Sequence, residues 1–534
     1  MKIGNKDTKE RTYLFDGQSK ADPNDYIHDD LNVLVIYGDN SSFTKTVEEH
    51  LHSFKQYLPF NVYYANGVLD YNNISWLDDF DVIIIHYSLG LYHQNYASTN
   101  VLRDLKKSKA VKFVFAQDEY DNTNELIRKI NFIEADTYFT CVPEDLHERV
   151  FGGRLNPNIE LINNLTGYVP NYQKYARLKT KELGKRKFSV SYRGRPLHPK
   201  YGLYGYLKWN AGKRFKEYCE KNSISFDIEV SEEARLYWDT WHGLLLESRG
   251  MLATPSGSNV FDFDGSIREQ IDQKYGDSKF DHYPKILNEL KPIEEEFFDM
   301  GQISPKMFEM MAFGVVPLVV AAQLIPEMKS GQNYIEVSPQ LDNLEEVFNK
   351  LGDDDLCHDI LQKNYSIIDS EKYSYRTFIF NLERLIRRKV RASKGIEFLT
   401  TAYAKKKKKI NWEVNDSKRT VEQSIVGSRN FESINYSIMP RDSFTSSPQY
   451  HWDIWSYQEY LTLNRPRTLF GRIFFVLGKP LRFLRHVINN EAHIFKNNNL
   501  RDLTEDRHFH RRILAKVFLI TPKRAKETLY KFFG

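Results

Sequence analysis

The sequence predicts an α/β chain built from two tandem units, each a parallel sheet buried on both faces, followed by a helical, basic extension. Three observations carry this. Apolar runs with no polar alternation recur between segments of helical spacing, the series breaks near residue 180 and starts again, and beyond about residue 391 the strand pattern stops and basic charge gathers.

Residues 1–30 are polar and read as an N-terminal arm. The first unit, 31–180, opens on "LNVLVIYG", an apolar run ending in glycine, followed by a segment in which Phe43, Val47, Leu51 and Phe54 share one helical face. The pattern repeats through "NVYYANG", "DVIIIHYSLG", "VKFVFAQDEY" with the helical "NTNELIRKINFIE", and "DTYFTCVPED". Strands that are apolar nearly throughout and alternate with helices imply a Rossmann-like parallel sheet. A polar, basic break, "NYQKYARLKTKELGKRK", precedes the second unit, 181–390. Its strands are "FSVSYRGR", "SFDIEV", "GMLATPSG" and "VVPLVV", with helical segments between them. Two such domains in tandem predict a ligand cleft, because open parallel sheets bind at the carboxyl ends of their strands.

The extension, 391–534, carries five consecutive lysines, Lys405 to Lys409, and then Arg465, Arg467, Arg472, Lys479, Arg482 and Arg485 with no acidic residue between the first and last. Phe470, Ile473, Phe474, Leu477, Leu481, Leu484 and Ile488 recur there at three- and four-residue intervals, interrupted by Pro480. Such basic amphipathic helices fit an anionic membrane surface, and equally a helix packed on the body of the protein with its arginines solvated.

Composition narrows the classes. At 534 residues, with 14% aromatic side chains, the chain can bury large cores, which excludes a disordered protein. Seventy-five basic against 71 acidic residues leave +4, so nothing points to a nucleic-acid-coating protein. Cys141, Cys219 and Cys357 are few, odd in number and far apart, which supports neither a disulfide framework nor a Cys-rich zinc site. The N-terminus has no apolar core for a signal peptide, and no segment holds about 18 consecutive apolar residues. The expected location is cytoplasmic, with the inner face of the membrane as a peripheral option through the extension.

The stretch "QISPKMFEMMAFGVVPLVV" is the most informative. Ser304 suits an N-cap, Pro305 the first helical position and Gly314 the residue past the end. The N-terminus of this short helix would offer N–H groups to phosphate oxygens, with Lys306 at the mouth, and Glu309 on the same face could accept from both ribose hydroxyls. These residues resemble the donor-site helix and following strand of group 1, family 4-like glycosyltransferases of the GT-B fold, through Glu309, Met311, Ala312 and Gly314. "LATPSGS" resembles the Pro-Ser loop before that helix, and "GVVPLV" resembles the exostosin-like branch. Gly301 stands where the family usually has a second Glu, and about forty residues are inserted between Gly265 and Ser304.

The resemblance implies transfer of a sugar from a nucleotide-sugar donor to a glycan or lipid-linked glycan acceptor, as in cell-surface polysaccharide synthesis. It makes Arg193, Arg195, Lys200, Ser256, Ser258, Asn259, Asp262, Ser304, Lys306 and Glu309 the candidate donor-binding residues. Basic side chains and a helix N-terminus can stabilise a departing diphosphate, so no metal is required. His86, Asp118 and Glu119 end strands of the first domain and are candidates for taking a proton from the acceptor. Plainer readings stand beside these: surface charges for the basic loop, a helix cap for Asp118 and a core histidine for His86.

"NVFDFDGSIRE" has two further readings. Asp262 and Asp264 resemble the first motif of haloacid-dehalogenase-like phosphatases, although "TPSGSN" before them is loop chemistry rather than a buried strand. They also form the Asp-x-Asp that holds Mg²⁺ or Mn²⁺ in the single-domain GT-A fold. Asp353 to Asp355 and Lys329 are the further groups a phosphatase would call on. Gly301 motivates a last alternative, a catalytically inactive GT-B-like scaffold that assists assembly at a membrane.

Overall fold

The computed structural model describes residues 31–38, 44–67, 77, 80–93, 97, 99–296, 300–394 and 425–426. The N-terminal arm, the lysine run and the amphipathic segments expected of the extension lie outside the described residues.

The first domain runs β1 (Asn32–Tyr37), α1 (Lys45–Tyr57), β2 (Asn61–Asn66), β3 (Val82–Ile85), α2 (Thr99–Lys107), β4 (Val111–Phe115), α3 (Thr123–Phe132), β5 (Thr137–Thr140), α4 (His147–Phe151) and β6 (Glu160–Asn163). Its sheet has the order β2-β1-β3-β4-β5-β6, all parallel, with a two-residue β12 (Ile425–Val426) antiparallel on the β2 edge. Val33 is in register with Val62 on one side and Val82 on the other. Val82, Ile83, Ile84 and Ile85 are wholly buried, so continuous apolarity here does mean a sheet covered on both faces.

The second domain continues with β7 (Phe188–Arg193), α5 (Gly202–Lys221), β8 (Phe226–Glu229), α6 (Trp238–Glu247), β9 (Ser248–Ala253), α7 (Ser266–Tyr275), α8 (Tyr283–Glu296), α9 (Pro305–Ala312), β10 (Val316–Val320), β11 (Ile335–Val337), α10 (Leu344–Gly352), α11 (Asp354–Asp369) and α12 (Tyr375–Lys394). Its parallel sheet has the order β11-β10-β9-β7-β8. The described residues thus form two tandem Rossmann-like domains, the arrangement of the GT-B fold. Strand order reverses between β1 and β3 in one sheet and between β7 and β9 in the other, which is where open α/β sheets take ligands. At the first reversal Gly38 lies so close to the turn after β3 that a Cβ would meet the Ser88 carbonyl at 2.5 Å.

The second domain does not end as a sequence boundary at 390 suggests. α12 returns to the first sheet, where Phe378, Ile379, Leu382, Ile386 and Val390 are buried with Val33, Phe113 and Phe139 in one core. Its apolar spacing answers to the first domain. The chain crosses between domains twice, and the crossings pair: Val169 N donates to Tyr373 O at 2.8 Å and Tyr375 N to Val169 O at 3.1 Å. The insertion, α7 and α8, has a small core of its own from Val260, Ile271, Ile286 and Leu290. No described helix is long and apolar enough to cross a membrane.

Candidate functional site

α9 has the boundaries its sequence predicts: Ser304 in extended backbone, Pro305 in the first turn, and Gly314 beyond the end with φ 63°. A Cβ on Gly314 would meet the Tyr365 hydroxyl at 2.1 Å. The Ser304 hydroxyl makes no capping bond. Met307, Phe308, Met310 and Met311 bury the helix, and Glu309 is buried with them at 4% exposure. Its Oε2 accepts from the Trp241 indole N–H at 2.9 Å. Burial pushes the Glu309 carboxyl up to about 7, against the pull of Trp241 and Lys306. Glu49 on α1 faces the same surround from the first domain. It accepts from the Tyr172 hydroxyl at 2.6 Å, and burial pushes it up to about 8, with Glu309 adding to the rise.

Beside α9 an open recess lies where β7 and β9 end. Tyr192, Arg193, Lys208, Trp241, Thr254, Ser256, Gln302, Ser304 and Lys306 are among the residues that line it. Arg193 is tied to Asp227 at 2.7 Å and Arg195 to Glu232 at 2.9 Å. Lys306 lies over the Trp241 ring, 5.2 Å from its centroid. The Lys208 ammonium is pushed down to about 8, first by burial and then by Lys306 and Arg195. Asp118 of the first domain faces this group. It holds the left-handed φ of 57°, which Asp tolerates better than most residues, and it accepts from the Tyr120 hydroxyl at 2.5 Å. Burial raises its carboxyl, while Tyr120, Lys208 and Arg195 pull it down.

The comparisons with known proteins return a likeness of fold. No protein-family model matches the chain, and no curated protein matches it in sequence. Among solved structures it is similar to a glycosyltransferase from Rickettsia africae, at 9% identity and a TM-score of 0.38, covering 68% of this chain and 99% of that one. It is similar to sucrose-phosphate synthase from Thermosynechococcus elongatus, at 10% identity and 0.40, covering 68% and 100%, and to HepE from Anabaena in complex with UDP-glucose, at 10% and 0.35, covering 68% and 99%. Identities and scores this low carry no argument about chemistry.

Several residues picked out in the sequence are occupied elsewhere. His86 is wholly buried. The Ser88 backbone N–H donates to its Nδ1, so its proton sits on Nε2 and is donated to His50 Nδ1 at 3.0 Å. No ring nitrogen is left for an acceptor hydroxyl. Glu119 is wholly buried too, turned back onto β5, where its Oε1 accepts from Thr140, Tyr138 and the Cys141 N–H. Lys200 is 3% exposed and spans the domains, 2.5 Å from Asp121 and 3.7 Å from Asp262. Its partners lie far away in sequence, so its place on a basic loop beside the cleft gives no sign of them.

Asp262 caps α7, with Oδ1 accepting from Ile267 N and Oδ2 from Arg268 N, each at 3.1 Å. Its backbone pairs with the first domain: Asp262 N donates to Tyr120 O, and Asn122 N to Asp262 O, at 2.9 Å. Asp264 accepts from Ser266 N at 3.0 Å. With both Asp262 oxygens taken by backbone N–H groups, this pair does not fit Mg²⁺ or Mn²⁺. Among the described residues no three His, Cys, Asp or Glu side chains gather as a metal set. Ser258 bonds to the backbone of Val260, and Asn259 accepts from Tyr204 N at 3.2 Å, so both shape the loop rather than the recess. Ser256 and Ser304 do line the recess. Asp353 caps α11 through Leu356 N.

Lys208, Trp241, Gln302 and Glu49 were not singled out in the sequence. Lys208 and Trp241 sit within helical stretches and Glu49 within α1, where a charged or aromatic residue is the ordinary outer face. The residues just before Ser304 gave Gln302 its one signal.

Proposed function

We propose that the chain is a glycosyltransferase that moves a sugar from a nucleotide-sugar donor to a hydroxyl acceptor. The observation that carries this reading is the cation-lined recess at the carboxyl ends of β7 and β9, whose Lys208 acts electrostatically on Asp118 of the other domain. In this reading the donor diphosphate lies against the cations at the start of α9, and Glu309 accepts from the ribose hydroxyls. Asp118 takes the proton of the acceptor hydroxyl as its oxygen bonds to the anomeric carbon. The bond from that carbon to the diphosphate breaks, and the leaving charge is held by the cations. A glycan or lipid-linked glycan acceptor, with a peripheral membrane site, is favoured by the basic amphipathic pattern between Arg465 and Arg485.

A phosphatase has no support in this geometry, because Asp262 is 1% exposed and both its oxygens accept from backbone N–H groups. The test is release of nucleoside diphosphate from a panel of sugar nucleotides by the full chain and by Glu309→Ala. The expected result is turnover of at least one donor, falling about a hundredfold or more in the variant while its Tm stays near the parent's. Near-normal kinetics in Glu309→Ala would sink the ribose assignment. Nucleotide binding without turnover of any donor would favour the inactive scaffold.

A further inference from the structure

The cations around the recess are not equivalent. Arg193, Arg195, Lys200 and Arg235 each have a carboxylate within ion-pair distance: Asp227 at 2.7 Å, Glu232 at 2.9 Å, Asp121 at 2.5 Å and Glu232 at 2.6 Å. Lys208 and Lys306 have none among the described residues, although both line the recess. They also repel one another, since Lys306 is the charge that most disfavours the Lys208 ammonium. Glu309 and Asp118 act on them only from beyond ion-pair distance, and clustered cations without a direct partner are held at a cost that an anion would relieve.

A second, independent observation comes from the same recess. Gln302 is 5% exposed and lines the same recess, and its Nε2 is a buried donor with no partner among the described residues. A buried N–H₂ without an acceptor is costly and usually awaits one. The site is also built rigidly. The Tyr192 hydroxyl donates to the Lys208 carbonyl at 2.6 Å and lies 2.9 Å from Thr254 Oγ1, which locks one turn of α5 to the end of β9. Gln302 N donates to Ser256 O at 3.0 Å, which fixes its backbone to the loop after β9. Beside them the uncapped first turn of α9 offers further N–H groups.

We propose that Lys208, with Lys306 and the side-chain amide of Gln302, receives the diphosphate of the donor, and that Lys200 takes no part in binding it. This rests on the reading of the recess as a nucleotide-donor site. Lys200 is a strut between the domains, neutralised by Asp121 and Asp262.

The test titrates the full chain with UDP, ADP and GDP by calorimetry, comparing the parent with Lys208→Met, Lys208→Arg, Gln302→Leu and Lys200→Met, each checked by thermal melting. For the nucleotide the parent binds best, Lys208→Met should weaken binding about tenfold or more, since a charge-assisted hydrogen bond is lost, and Lys208→Arg should recover most of it. Gln302→Leu should weaken binding severalfold. Lys200→Met should melt earlier yet keep the parent's affinity. Unchanged affinity in Lys208→Met, or a loss in Lys200→Met as large as that in Lys208→Met, would overturn the assignment. A parent that binds none of the three nucleotides overturns the donor-site reading itself and takes this assignment with it.

Discussion

At the residue scale, the buried ionisable groups set opposing pH dependences. Glu119 has its carboxyl pushed up to about 7 by burial, and its Oε2 has no partner among the described residues. Its folded form therefore binds more protons than the unfolded chain between about 4.5 and 7, and the stability it contributes below that window is lost as pH rises through it. His50 and His86 act in the other direction. Burial holds His50 down at about 3 and His86 well below its usual range, so stability falls on acidification below about 6.5. Glu119→Gln keeps the acceptor that Thr140, Tyr138 and Cys141 use and removes the titration. Its stability relative to the parent should rise from pH 5 to pH 8, by on the order of 3 kcal/mol. Denaturant melts of both proteins at the two pH values check this, and a difference that does not change with pH would refute it. His50 shows why the pair stays neutral: Phe54, Tyr87, Phe115, Tyr168 and Phe378 surround its ring.

At the element scale, the loop before α7 joins local capping to domain assembly. Asp262 satisfies two of the N–H groups at the start of α7, counters Lys200, and hands its backbone to residues 120 and 122. Asp262→Ala should cost about 3 kcal/mol, summing a lost cap and one partner of a buried ion pair. The loss should appear in thermal melts with or without added Mn²⁺. A stability gap that widened on adding Mn²⁺, because only the parent gained from the ion, would reinstate the metal reading. Helix α9 shows the reverse case, in which the end left uncapped by its own serine is the one that opens on the recess.

At the scale of the whole molecule, the two sheets are joined by paired crossings at Val169 and Ser374 on one side and by the Asp121–Asp262 bridge on the other. Between them lies one apolar core to which both domains contribute, including Leu165, Met251, Phe308 and Phe378. The recess sits beside this shared core, so a bound donor would touch elements whose relative placement is already set by packing. The basic extension adds a separate expectation. Removing residues 460–534 should abolish co-sedimentation with anionic vesicles while donor binding persists, and unchanged co-sedimentation would end the membrane role.

The sequence by itself determined the kinds of element and the place of the short helix α9. Continuous apolar strands can only be buried on both faces, and Ser304, Pro305 and Gly314 act through local backbone chemistry that needs no partner from elsewhere. The place of Glu309 on that helix was legible for the same reason, but its burial against Trp241 was not. What a charged side chain does is decided by what lies opposite it, and that was settled by tertiary structure. Lys200 and Lys208 are both lysines near the start of the second domain, yet folding gives the first two carboxylates at ion-pair distance and the second none among the described residues. His86 ends a strand as a cleft residue would, but α1 brings His50 against it. The two aspartates of "FDFD" carry no local sign of their work, because the backbone that Asp262 pairs with, at residues 120 to 122, comes from the other domain. Short-range chemistry is written along the chain, whereas electrostatic roles depend on distances that only the packed sheets define.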